Sequence, residues 1–196
     1  MDSTQKKIGL FFGSFNPIHM GHLIIGNLMV EATDLDKVWF VVSPQNPFKP
    51  SKGLLHAFDR YDMVRAAIYD NYNLEVTDVE FHLPVPSYTI HTLVHLQEKH
   101  PEKKFNIIIG EDNLVNFAKW KNHDQILEQY GLYVYPRPLM QRSELKTHPN
   151  VTFVDAPMLD ISATFIRNCI RNKQSVRYLV PDVVEEMIRA KGFYLD

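Results

Sequence analysis

Six short apolar runs punctuate the chain: IGLFF at 8–12, KVWFVVS at 37–43, LEVTDVE at 74–80, KFNIIIG at 104–110, GLYVYPR at 131–137 and VTFVDA at 151–156. Several are β-branched or aromatic almost throughout, the pattern of strands buried on both faces. Most of the intervals between them are long enough for a helix. Between 57 and 70, for example, Ala57, Tyr61, Val64 and Ile68 fall on one helical face. Strands that alternate with helices imply a parallel sheet with helices on both faces. Two more helices are predicted at the C-terminal end, one opening at Ser162 and one behind Pro181, which sits at a favoured first-turn position with Gly192 as the stop. The expected fold class is α/β, with 1–196 as a single domain. The proline-rich and polar segment 136–150 reads as a surface loop.

Composition narrows the function. Of 196 residues, 45% are hydrophobic and 22% charged, which fits a soluble globular chain and excludes a disordered or coiled-coil one. With 21 basic and 23 acidic side chains the formal net charge is −2, so the positive field of a protein that wraps nucleic acid is missing. The single cysteine, Cys169, excludes an intramolecular disulfide and a multi-thiolate zinc site. No run approaches the roughly 20 apolar residues of a membrane span, and the N-terminal apolar run is too short for a signal-peptide core. These features predict a cytoplasmic protein with small-molecule partners, no nucleic acid and no membrane; a homo-oligomer is left open.

In open parallel sheets, ligands bind beyond the carboxyl ends of the strands, which directs attention to the loop after the first one, GSFNPIHMGH at 13–22. Gly13 permits a sharp turn or a close backbone approach, and the amides that follow can face an anion. Neither GxGxxG nor a complete phosphate-loop motif is present. What remains is His19 and His22, three apart at a helix start and able to address one ligand, whose phosphates would favour their protonated form. A surface or capping role, or a zinc pair, is the plainer reading of two such histidines, although no third metal ligand stands at a suitable spacing.

GSFNPIHMGHL closely resembles the (T/H)xGH signature of the nucleotidyltransferase superfamily, and ISATFIR at 161–167 resembles its second signature, ISSTxIR. Between them, SPQNPFK (43–49), PSYTIHTL (86–93) and IIGEDNLVNFAKW (108–120), followed by VRYLVPDVV (176–184), are similar to segments of the bacterial nicotinate-nucleotide adenylyltransferases. The resemblance implies a Rossmann-like α/β fold. It also implies transfer of the adenylyl group of ATP to nicotinate mononucleotide, giving deamido-NAD and pyrophosphate, with Mg²⁺ arriving on the ATP.

By the same resemblance, His19 and His22 contact ATP phosphates and are the catalytic pair, with Gly13, Ser14, Phe15, Gly110, Asp112, Ser162, Thr164 and Arg167 completing the ATP site. Ser162 and Thr164 are suited to cap a helix whose amides face phosphate, and Arg167 adds a cation one turn on. Asp112 would accept from ribose hydroxyls. The acceptor side falls to Lys49, Thr89, Trp120 and Arg137: the indole would stack on a pyridinium ring, and free amides near Thr89 would bind its carboxylate. Ordinary alternatives are a core tryptophan beside Phe117, a capping aspartate and a solvated arginine. Ala163 stands where the family has serine, Phe48 where many relatives have histidine, and His91 where they have aspartate. Competing functions are a nicotinamide-mononucleotide or phosphopantetheine adenylyltransferase and a non-catalytic nucleotide sensor; an aminoacyl-tRNA synthetase lacks support in the chain.

Overall fold

The computed structural model describes residues 5–45, 53–137 and 143–195. Among them, six strands form one parallel sheet: β1 (Lys6–Gly13), β2 (Lys37–Val42), β3 (Leu74–Thr77), β4 (Lys103–Gly110), β5 (Leu132–Tyr135) and β6 (Val151–Phe153), in the order β3-β2-β1-β4-β5-β6. The pairing register sets Leu10 of β1 between Trp39 and Ile107. All six expected strands are present, and the sheet is parallel as their alternation with helices required.

Alternation along each strand divides the core in two. Phe11, Val38, Phe40, Val42 and Ile108 face α1 (Met20–Glu31), α2 (Ala57–Ala67), α6 (Ala163–Arg171) and α7 (Asp182–Lys191). Ile8, Leu10, Val41, Ile107 and Ile109 face α3 (Thr89–Lys99), α4 (Glu111–Val115) and α5 (His123–Tyr130). Helices therefore cover both faces, and the two C-terminal ones, α6 and α7, complete the first core. No helix of the described residues is long and apolar enough to cross a membrane.

Several boundaries differ from the sequence reading. The third strand ends at Thr77, not 80, because the Thr77 hydroxyl accepts from Val79 N (3.2 Å) and the chain turns into a 3-10 helix over Val79–His82. The sixth stops at Phe153. The helix begun at Ala57 ends at Ala67. Pro181 lies one residue earlier than expected, at the cap of α7, where its carbonyl accepts from Val184 N and Glu185 N. Within 136–150 a short 3-10 helix spans Glu144–Thr147.

Candidate active site

β1 and β4 are the strands between which the winding reverses, and beyond their ends at Gly13 and Gly110 opens a cavity of about 510 Å³. The loop after β1 forms one wall. A Cβ on Gly13 would lie 2.7 Å from the ring of Phe15, which turns inward on a left-handed backbone (φ 44°). That ring meets His22 edge-on with centroids 5.0 Å apart, so Phe15 braces the histidine from below.

His19 precedes α1 with extended backbone, and its carbonyl accepts from His22 N at 2.9 Å. The two imidazoles stack with centroids 3.6 Å apart. Gly21 makes the stack feasible, since a Cβ there would come 3.1 Å from His19 Nδ1. The glycine of this histidine motif thus leaves room for the His19 ring. Burial, and secondarily the positive Arg137, lowers the His19 pKa from 6.5 to about 4, so without a bound anion the ring is neutral at pH 7. Protonation by a triphosphate has to work against that desolvation.

The same shift predicts an acid-sensitive fold. An unfolded histidine takes up a proton below about pH 6.5, whereas folded His19 does so only near pH 4, so stability falls as pH drops through that window, by at most about 3 kcal/mol. Urea unfolding at pH 7 and pH 4.5 is expected to show a smaller loss for His19→Gln than for the parent chain. Equal losses would show that His19 is not the group responsible.

The wall built by α6 carries the second signature. Ser162 caps the helix, its hydroxyl accepting from Phe165 N at 3.2 Å. Arg167 donates to the Thr164 hydroxyl (3.1 Å) and to the carbonyl of Asn16 (2.7 Å), a direct tie between segments 151 residues apart. Asn16 is itself buried: its amide donates to Gly53 O (2.9 Å), and its side-chain oxygen accepts from Leu55 N (3.3 Å) and the Tyr194 hydroxyl (2.9 Å).

Beneath the loop lies Arg60, fully buried. Its guanidinium donates to four carbonyls, those of Ser14 (2.5 Å), Ser43 (2.8 Å), Pro44 (3.1 Å) and Leu55 (2.9 Å). Burial lowers its pKa to about 10, which leaves it charged at neutral pH.

Two other groups complete the cavity. Asp112, in the first turn of α4, lies 3.7 Å from Arg137, whose guanidinium also rests over the Tyr135 ring. Thr89 opens α3 and lines the cavity, as do Trp120, half-buried against Phe117, and the Tyr88–Lys121 cation–π pair.

All the candidate site residues named from sequence line this one cavity except Lys49, which lies outside the described residues, as does Phe48; His91 is not among the lining residues. Arg137, expected on the acceptor side, has its contacts with Asp112 and Tyr135 and its charge beside His19. Phe117 is core, and Trp120 both packs half-buried against that core and lines the cavity. Sequence reasoning missed Arg60, Glu80 and Tyr194, and gave Asn16 no role. Arg60 and Glu80 look like solvent-facing charges in their segments, and Tyr194 belongs to no motif; only a buried charge out of step with its neighbours could have signalled them.

Comparison with known proteins identifies the family and the fold. The cytidylyltransferase-like family model matches residues 10–169. A Cytophaga hutchinsonii protein named "probable nicotinate-nucleotide adenylyltransferase" is 60% identical over 188 residues, covering 96% of this chain and 98% of its own. A Flavobacterium johnsoniae protein of the same name is 48% identical over 190 residues, 96% of this chain and 98% of its own. In fold, the chain is similar to a Plasmodium falciparum nicotinic acid mononucleotide adenylyltransferase solved in complex with NaAD, with a TM-score of 0.82 at 19% identity over 96% of this chain and 97% of that one. The chain belongs to the cytidylyltransferase-like family of nucleotidyltransferases, among the nicotinate-nucleotide adenylyltransferases.

Proposed function

We propose that this cavity joins ATP to nicotinate mononucleotide: a phosphate oxygen of the acceptor attacks the α-phosphorus, the bond to the β-phosphate breaks, and pyrophosphate leaves. The observation that carries the reading is that the stacked histidines and the Ser162–Arg167 turn line one cavity at the switch point of the sheet. The attacking group is already an anion, so alignment and charge neutralisation are needed more than a base. His19 and His22 donate to the phosphates from the first loop. The amides opening α6 and the Arg167 guanidinium meet the outer phosphates from the other side. Gly13, Ser14 and Phe15 shape the nucleotide loop, and Gly110 and Asp112 hold the adenosine. Arg137 serves the nucleotide end as well, given its contact with Asp112.

On the acceptor side, Trp120 offers an indole face to the pyridinium ring, and the amides around Thr89 at the positive end of α3 take its carboxylate. Lys49 is kept as a phosphate contact. Enzymes of this kind use a divalent metal with ATP. Mg²⁺ is proposed to enter as part of the ATP complex, held by phosphate oxygens and water. The setting proposed is the cytoplasm, with ATP and the mononucleotide as the only required partners.

An acceptor panel tests this. With ATP and Mg²⁺, pyrophosphate release is expected to be fastest with nicotinate mononucleotide; a clear preference for the nicotinamide form or for phosphopantetheine would overturn the choice. Tight ATP binding with no pyrophosphate from any acceptor would make the protein a sensor. In the same assay Trp120→Ala is expected to raise the acceptor KM about tenfold, the worth of a lost stacking and cation–π contact, with little change in the KM for ATP. An unchanged acceptor KM would return Trp120 to the core.

A further inference from the structure

Glu80 is a carboxyl that the proposed chemistry does not use. It sits in the 3-10 helix after β3, is 1% exposed, and lines the acceptor end of the cavity together with Ser43 and Ser87. Its neighbours are hydroxyls: Thr92 donates to Oε1 at 2.8 Å, and Ser43 and Ser87 face the same carboxyl. Glu80 Oε2 and the Ser87 hydroxyl, both sealed from solvent, make no hydrogen bond of their own among the described residues. Burial raises the Glu80 pKa above its ordinary value against the pull of those hydroxyls.

The three hydroxyls come from three places. Ser43 follows β2, Ser87 precedes α3, and Thr92 lies in the first turn of α3. Ser43 is also fixed from the nucleotide side, its N–H donating to Gly13 O (2.9 Å) and its carbonyl accepting from Arg60. A buried carboxyl is costly unless its bonds are made, and the buried Thr92 hydroxyl would be stranded without it, while Ser43 and Ser87 lie beside the oxygen left over. The cluster therefore fixes the start of α3 against the same residue that anchors the first loop.

We infer that Glu80 is the acceptor-side positioning residue: by bonding Thr92 in the first turn of α3, with Ser43 and Ser87 beside its other oxygen, it sets the Ser87–Thr89 turn so that the amides opening α3 meet the carboxylate on the acceptor's ring. This rests on the acceptor reading above. Displacing those amides weakens the binding of an anionic ring far more than that of a neutral amide, so Glu80 governs acid-over-amide selectivity without touching either substrate.

The test is steady-state kinetics with nicotinate and nicotinamide mononucleotides. Glu80→Ala is expected to raise the KM for nicotinate mononucleotide about tenfold and to cut the acid-over-amide ratio similarly, with kcat and the KM for ATP within about twofold. Glu80→Gln, which still accepts from Thr92, is expected to restore both. If the alanine variant does not fold, Ser87→Ala is expected to move the same two quantities about threefold. An unchanged acid-over-amide ratio, or equal rises in both KM values, overturns the assignment while the function stands. Failure of the parent chain to use nicotinate mononucleotide is the separate result that overturns the acceptor reading and this assignment with it.

Discussion

Replacing His22 with alanine is expected to lower turnover by about a hundredfold or more while leaving the protein folded. The ring is held from several sides, stacked on His19 at 3.6 Å and met edge-on by Phe15 at 5.0 Å and Phe11 at 6.0 Å. Such a donor needs no rearrangement when charge builds on the phosphate, and that preorganisation is what a side chain free in solvent lacks. His22 also belongs to a partly exposed position, so its truncation removes less packing than loss of a core residue would. ATP binding should survive, because the α6 turn and Arg167 still grip the phosphates. Single-turnover measurements at saturating ATP and acceptor separate the two effects; a near-normal rate would take His22 out of the mechanism.

The second large effect is one of stability. Arg60→Met is expected to cost about 3–5 kcal/mol, because the carbonyls of Ser14, Ser43, Pro44 and Leu55 lose their shared donor inside the protein. In a chain of this size that lowers the melting temperature by roughly 10 °C. Arg60→Lys keeps the charge but has no planar fork to span four acceptors, so it should fall between the two. The nucleotide loop loses its anchor at the same time, so the KM for ATP is expected to rise in parallel. A methionine variant that melts like the parent chain would show that packing alone fills the role of the guanidinium.

How much of this was legible in the residues depended on how local the signal was. Strands announce themselves by short, nearly continuous apolar runs rich in β-branched and aromatic residues, and all six were found, while their ends were not, because a single Thr77 hydroxyl bond decides where β3 turns away. The two signature segments were legible because each packs its chemistry into a few adjacent residues. Gly21 shows the limit: its place in the motif is visible, but the reason, room for the His19 ring, is a contact that only the fold creates. Arg60 and Glu80 were invisible for a stronger reason. Their burial depends on carbonyls and hydroxyls that only the fold brings together, from as far away as Ser14 for Arg60, and nothing in the surrounding residue pattern marks them as partners.

The bond from the Tyr194 hydroxyl to Asn16 spans 178 residues and completes the support of the first loop. During synthesis at roughly 5–20 residues per second, about 10–40 s separate the appearance of these two side chains. The nascent chain can assemble its central strands in that interval, but the histidine loop acquires its last brace only afterwards, so catalytic competence should lag behind compaction on the ribosome.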